Sequence, residues 1–230
     1  MSVMARVVAV DGPAGAGKSS ASRALARRLR FTYVDTGAMY RAVGVLAAER
    51  NIALDDPAAL RPLVTGLAFE LTAEGTRLLV DGRDLSDAIR RPEAGQLASR
   101  VSTQPVVRER LVELQRGLGA PGGVVMEGRD IGTVVFPDAA LKFYLTAAPA
   151  TRASRRAAEL RARGEQVDEA ALARDIAERD RRDARRAHSP LRPAADAVVI
   201  DTTALALDAV VDQMEAEARA RGVSPAPARA

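Results

Sequence analysis

The sequence predicts an α/β fold, a parallel sheet with helices on both faces, and three observations carry that prediction. Short, mainly apolar runs recur at residues 33–34, 124–126, 141–145 and 197–200, together with a Val-rich run at 6–10. Stretches of helical periodicity separate them. The first run ends in Asp11-Gly12-Pro13, after which Ala21, Leu25, Ala26 and Leu29 fall at helical spacing from about Lys18, giving strand, loop and helix in succession. Strands covered on both faces read as continuous apolar runs because neither face meets water.

One segment departs from this pattern. Residues 67–71 and 77–80 alternate in polarity around Glu74-Gly75, and Asp81-Gly82 adds another turn signal. Period two between turn residues predicts a small antiparallel ribbon set into the α/β core, either an ordinary surface hairpin or an inserted subdomain spanning residues 63–92. Residues 151–187 read as helices interrupted at Arg163-Gly164, with eleven arginines against eight acids. A charge run of this kind is ordinarily a solvated helix face with pairs at i, i+4. The Pro- and Ala-rich residues 222–230 are expected to be disordered.

Composition narrows the function. At 230 residues with 47% hydrophobic content the chain fits one or two domains with a sizeable core. Aromatics are only 3% and Trp is absent, which argues against a base-stacking platform for single-stranded nucleic acid. Without cysteine there are no disulfides, thiolate metal sites or Cys nucleophiles, in keeping with a reducing compartment. No signal peptide or membrane span is expected, since no apolar stretch approaches ~18 residues. A cytoplasmic monomer is the expectation.

The net charge is +4, and only Lys18 and Lys142 of the 34 basic residues are lysines. Where a chain otherwise chooses Arg, a retained Lys points to a need for a compact charge. The cations are interspersed with acids, so a nucleic-acid surface is the weaker reading of the charge.

The decisive motif is Gly12, Pro13, Ala14, Gly15, Ala16, Gly17, Lys18 and Ser19, which satisfies G-x-x-x-x-G-K-[ST] between a predicted strand and a predicted helix. In such a Walker A loop, glycines let backbone N–H groups turn toward phosphate oxygens at the positive end of the helix dipole. Lys18 is placed to reach the β and γ phosphates, and the Ser19 hydroxyl to ligate Mg²⁺. A nucleoside triphosphate is therefore the expected partner, and the motif leaves the reaction open. No Asn-Lys-x-Asp guanine-reading sequence is present, and the length leaves little room for a motor or helicase.

Four separated blocks resemble the bacterial cytidylate kinases, nucleoside monophosphate kinases of the P-loop class. They are the run from Asp11 to Ser19, then Asp35-Thr-Gly-Ala-Met-Tyr-Arg41, then Glu127-Gly-Arg-Asp-Ile-Gly-Thr-Val-Val-Phe-Pro-Asp138, and Glu178-Arg-Asp-Arg-Arg-Asp183 leading to Ser189-Pro190-Leu191. They stand in the family's order and spacing over residues 7–213. The resemblance implies a P-loop three-layer fold with a five-stranded parallel sheet. It also implies a helical lid over ATP at 151–168 and an acceptor-binding region enlarged by the antiparallel insert. The implied reaction takes a phosphoryl group from ATP to CMP or dCMP with Mg²⁺, in pyrimidine nucleotide metabolism.

Residue by residue, the resemblance puts Ser20, Arg155 and Arg156 with the P-loop at ATP, Arg152 being a further lid arginine. It puts Arg41, Arg129 and Arg186 at the acceptor phosphate, Ser99, Arg108 and Asp130 at the cytosine, and Arg179 and Asp183 at the ribose. Lys18, Arg129 and Arg186 are the expected catalytic residues. Thr36 keeps the hydroxyl where many relatives carry Ser. Tyr40 is equally an acceptor contact or a half-buried packing residue. Taken alone, Arg179, Asp183 and Arg186 read as i, i+4 and i, i+3 helix pairs worth tenths of a kcal/mol. His188 reads as structural or superficial, since nothing nearby has metal-ligand spacing.

The chemistry is self-consistent. A phosphate acceptor is already largely ionised near pH 7, its second pKa being about 6, so no general base is required. The task is to bring two polyanions together, which calls for cations and alignment. Two rivals remain: an alcohol kinase using Asp35 or Asp130 as base, and a basic nucleic-acid-stimulated P-loop ATPase.

Overall fold

The computed structural model describes residues 6–71, 77–186 and 189–226. Five parallel strands form the main sheet: β1 (Val7–Asp11), β2 (Thr32–Asp35), β6 (Val124–Glu127), β7 (Leu141–Thr146) and β8 (Val198–Asp201), in the order β2-β6-β1-β7-β8. Central β1 is buried at all five residues, while edge strand β8 leaves Val199 56% exposed. That gradient follows from how many neighbours cover each strand.

Helix α1 (Lys18–Leu29) packs with α8 (Leu207–Ala220) on one face, where Leu25 and Leu29 meet Val211 and Met214. On the other face Val112 of α5 (Pro105–Gly119) closes over Val7, Val34 and Met126. A separate apolar cluster joins α2 (Thr36–Glu49) and α3 (Pro57–Thr65) to a three-stranded antiparallel sheet of β3 (Phe69–Leu71), β4 (Leu78–Val80) and β5 (Arg83–Asp84). Leu78, Val80, Leu85 and Ile89 are buried there, so the insert shares a core with the helices beside it. The sequence predicts two strands; the third returns after the Asp81-Gly82 turn, where both residues have positive φ. The Glu74-Gly75 turn lies outside the described residues.

Helix α4 (Pro92–Val101) packs along α2. Helices α6 (Pro149–Arg161) and α7 (Glu169–Arg185) pair in the Arg-rich stretch, with Asp168 capping α7 through the Ala170 and Ala171 amides. The expected disorder of 222–230 does not hold for 222–226. Val223 is 1% exposed in the core beneath α1 and α8, and the Ala226 N–H donates to Leu29 O at 2.8 Å. One apolar side chain with a core slot outweighs the polar, Pro-rich average of its neighbours. Residues 227–230 and His188 lie outside the described residues. Among the described residues no helix is long and apolar enough to cross a membrane.

Strand register fixes the functional edge. Val10 and Asp35 both stand opposite Glu127, so β1, β2 and β6 end side by side. The P-loop, Thr36 and the Gly128–Asp130 stretch therefore emerge at the carboxyl edge, where ligands bind in open α/β sheets.

Candidate active site

A cleft of about 870 Å³ opens at that edge. Ala14, Gly15, Ala16, Gly17, Lys18, Ser19 and Ser20 line it, while Gly12 and Pro13 precede the lining stretch. Gly12 is required sterically: at φ +145 a Cβ there would lie 2.0 Å from the Leu145 carbonyl oxygen. Lys18 Nζ donates to Pro13 O at 2.7 Å. Burial, and then the Arg129 guanidinium, push Lys18 down to about 7. A polyanion arriving beside it favours the charged ammonium again.

Behind the loop, Glu127 closes β6. Its Oε1 accepts from Ser19 Oγ at 2.7 Å and from the Tyr33 hydroxyl at 3.0 Å, and its backbone oxygen accepts from Thr36 Oγ1 at 2.8 Å. Glu127 Oε2 is buried without a partner among the described residues. Burial and then neighbouring Asp35 hold the Glu127 carboxyl above its ordinary range. Asp35 differs, because Arg41 at 2.7 Å outweighs burial and keeps its carboxyl low. Asp11, also buried, is pushed up to about 6 by desolvation despite two backbone hydrogen bonds.

The rest of the cleft is an arginine cluster that reaches back toward the loop, since Arg129 and Arg179 both act on Lys18. Asp183 accepts from Arg129 Nε at 3.0 Å and from Arg186, and is 1% exposed. Burial alone would raise its carboxyl, but Arg129, then Arg186 and Arg179, hold it below the ordinary range. Arg179 is pushed down to about 9 by burial and then by Arg129. Asp183 and Arg186 are thus i, i+3 neighbours as the sequence allows, yet buried and tied to a third residue from another loop, unlike an exposed helix pair. Nearby, Arg108 pairs with Asp130 inside the protein and lies 6.0 Å from the Tyr40 ring centroid. The Ser99 hydroxyl beside them is buried with no partner among the described residues.

Of the sequence-predicted set, the structure brings Thr36, Tyr40, Arg41, Ser99, Arg108, Arg129, Asp130, Arg179, Asp183 and Arg186 to one cleft with Lys18 and Ser19. Arg155 and Arg156 also reach it. Arg155 is held by Thr202 through hydroxyl and carbonyl, at 2.9 and 2.6 Å, whereas Arg156 pairs with Glu159 on the surface. Arg152 is drawn away beneath the P-loop, donating to Ala14 O and Ala147 O and pairing with Asp180.

Sequence reasoning assigned no role to Glu127 or Thr202, which also line the cleft. An acid closing an otherwise apolar strand was a readable signal for Glu127. Nothing local marked Thr202.

In all, eleven arginines and Lys18 line the cleft against five carboxylates. A phosphate-binding loop opening a helix on a parallel sheet, facing such an excess of cations, defines a P-loop kinase. The family model for cytidylate kinase matches residues 8–220, and the chain belongs to that family.

A cytidylate kinase of Pelotomaculum thermopropionicum is 50% identical over 93% of this chain and 96% of its own. One from Geobacter sp. is 48% identical over 94% and 93%. A solved structure of an uncharacterized protein from Eubacterium ventriosum superposes with a TM-score of 0.52 at 12% identity, covering 94% of this chain and 99% of its own, a likeness of fold alone.

Proposed function

We propose that this chain transfers the γ-phosphoryl group of ATP to CMP or dCMP, giving ADP and CDP or dCDP, as a cytoplasmic monomer in pyrimidine nucleotide metabolism. The observation that carries this reading is the division of the cleft: a P-loop at one end, and at the other Arg41, Arg129, Arg179 and Arg186 beside the Ser99, Arg108 and Asp130 group.

An acceptor phosphate oxygen forms the new bond to the γ-phosphorus as the bond to the β–γ bridging oxygen breaks, and the electron pair leaves with ADP. Lys18 screens the β and γ phosphates, while Arg41, Arg129 and Arg186 align the acceptor phosphate for attack. Arg179 and Asp183 hold the ribose. Asp35 and Asp130, each paired to an arginine, are poorly suited to act as the base that an alcohol acceptor would need.

The residues fit Mg²⁺. Among the described residues no group of three or more His, Cys, Asp or Glu could hold a metal alone. Mg²⁺ typically takes one or two protein oxygens and completes its shell with waters and phosphates. Ser19 would hold it through its hydroxyl, with Glu127 behind, whose second oxygen is buried and unpartnered. Bound there, Mg²⁺ neutralises charge on the β and γ oxygens.

Residues 151–168, carrying Arg155 and Arg156, close over ATP and exclude water, and the 63–92 insert supports the acceptor side. At the base, the Asp130 carboxylate accepts from the cytosine amino group, where uracil presents a carbonyl oxygen instead. ADP release measured over CMP, dCMP, UMP, AMP and simple alcohols tests the reading. Turnover should be high with CMP or dCMP and far lower with the others; alcohol turnover without CMP turnover contradicts it.

A further inference from the structure

β1 ends on a carboxylate that no step of this chemistry uses. Asp11 stands directly before the P-loop and is 4% exposed. Its two oxygens accept from the backbone N–H groups of Ile131 and Gly132, each at 2.8 Å. Those are the two amides following Asp130, and they open a five-residue π-helical turn, Ile131–Val135. Val134 and Val135 in that turn both donate to the Asp130 carbonyl. On the near side, the Gly128 N–H donates to Val10 O at 2.9 Å. Arg129 and Asp130 are therefore suspended between two holds, and both holds come from the end of the strand that leads into the P-loop.

The chemistry of the hold is specific. Burying a carboxylate costs stability unless its oxygens are bonded. Here two adjacent donors need two acceptors, and only an unprotonated carboxylate offers that. Asn has one acceptor, and its amide would turn a donor toward an N–H. The far side of the turn is backed by Lys142, whose aliphatic chain lies 3.1–3.4 Å from where a Gly132 Cβ would stand. Its ammonium donates to Pro137 O and to Asp196.

We infer that Asp11 is a positioning residue, which fixes the Arg129–Asp130 loop against the P-loop so that the phosphate-holding and base-reading ends of the cleft keep one spacing. It acts through that loop and touches neither substrate. The inference rests on the reading in which Asp130 reads the acceptor base.

The test compares kcat/KM for CMP and for UMP in the parent, in Asp11→Asn, in Asp130→Asn and in the double variant. Both acceptors carry the same phosphate, so their ratio is insensitive to a general loss of active protein. Asp11→Asn should narrow the ratio roughly fivefold, since a small misplacement of a contact suffices for such an effect. In the Asp130→Asn background it should narrow it no further, because the two residues act on one contact.

If Asp130→Asn narrows the ratio but Asp11→Asn lowers both acceptors alike, Asp11 is a strut and the inference fails while the base reading stands. If Asp130→Asn leaves the ratio at the parent's value, both fail. Should Asp11→Asn not fold, Gly132→Ala presses on the same turn from the Lys142 side. A narrowed ratio in that variant supports the inference, and an unchanged ratio in folded protein overturns it.

Discussion

The P-loop end of the cleft is one contiguous stretch, residues 12–20, whereas the opposite end gathers Tyr40 and Arg41 from α2, Ser99 from α4, Arg108 from α5, Arg129 and Asp130 from beyond β6, and Arg179, Asp183 and Arg186 from α7 and its end. The first is a backbone device with few side chains; the second is made of side chains that meet only in the fold. Their carboxyls differ accordingly. Near the P-loop, Asp11 and Glu127 are dominated by burial and raised, while Asp183 among its arginines is lowered. On the proposed reading, one cleft holds a general polyanion grip and a partner-specific grip, and the two should fail in different ways.

The largest expected effect strikes the general grip. Lys18→Ala should cut turnover with every acceptor by at least about three orders of magnitude with the fold kept, because it removes charge from the phosphates at a residue that lines the cleft and belongs to none of the apolar clusters. Lys18→Arg should also fail substantially, its planar fork being too large for the compact ammonium's place. Steady-state kinetics with circular dichroism on the same samples checks both. Near-parental turnover by the Ala variant would remove the P-loop from the account.

Arg129→Ala should lower kcat/KM for CMP by about two orders of magnitude, with the KM for ATP changed much less. Equal losses in both would mean that the two ends are not separable.

A smaller effect concerns acid stability. The Asp183 carboxyl is depressed in the folded state, so the stability it contributes is present above its unfolded value near 3.8 and is lost as pH falls through the lower folded value. Asp183→Asn should unfold at lower urea at pH 7, since one of the two arginines meets an amide NH₂ in place of its acceptor and both lose the buried charge. It should also lack the part of the parent's decline that falls below about pH 4. Urea midpoints from pH 2.5 to 7 report both, and an unaltered acid limb would show that Asp183 is not held low.

The same division decides what the sequence reveals. The five sheet strands are legible because each is an apolar run, and the P-loop because its spacing is local. The two-residue β5 has no apolar signal, both residues being exposed, and Val223 was hidden in a Pro- and Ala-rich tail. At the arginine-rich end, resemblance supplied residues that periodicity could not, since Arg179, Asp183 and Arg186 look locally like a solvated helix face. Asp11 was beyond either route, being read only from the amides it meets 120 residues on. Arg152, expected as a lid arginine, is instead held on Ala14 O, Ala147 O and Asp180.

The central claim, that the second end recognises its partner through side chains and reads the base through Asp130, is tested most directly by kcat/KM for CMP and UMP in Asp130→Asn. Leaving a polar group mispaired in a closed pocket costs on the order of 1 to 3 kcal/mol, enough for strong discrimination. CMP should lose far more than UMP, narrowing their ratio about tenfold. A variant that loses activity on both while keeping the parent's ratio would contradict it.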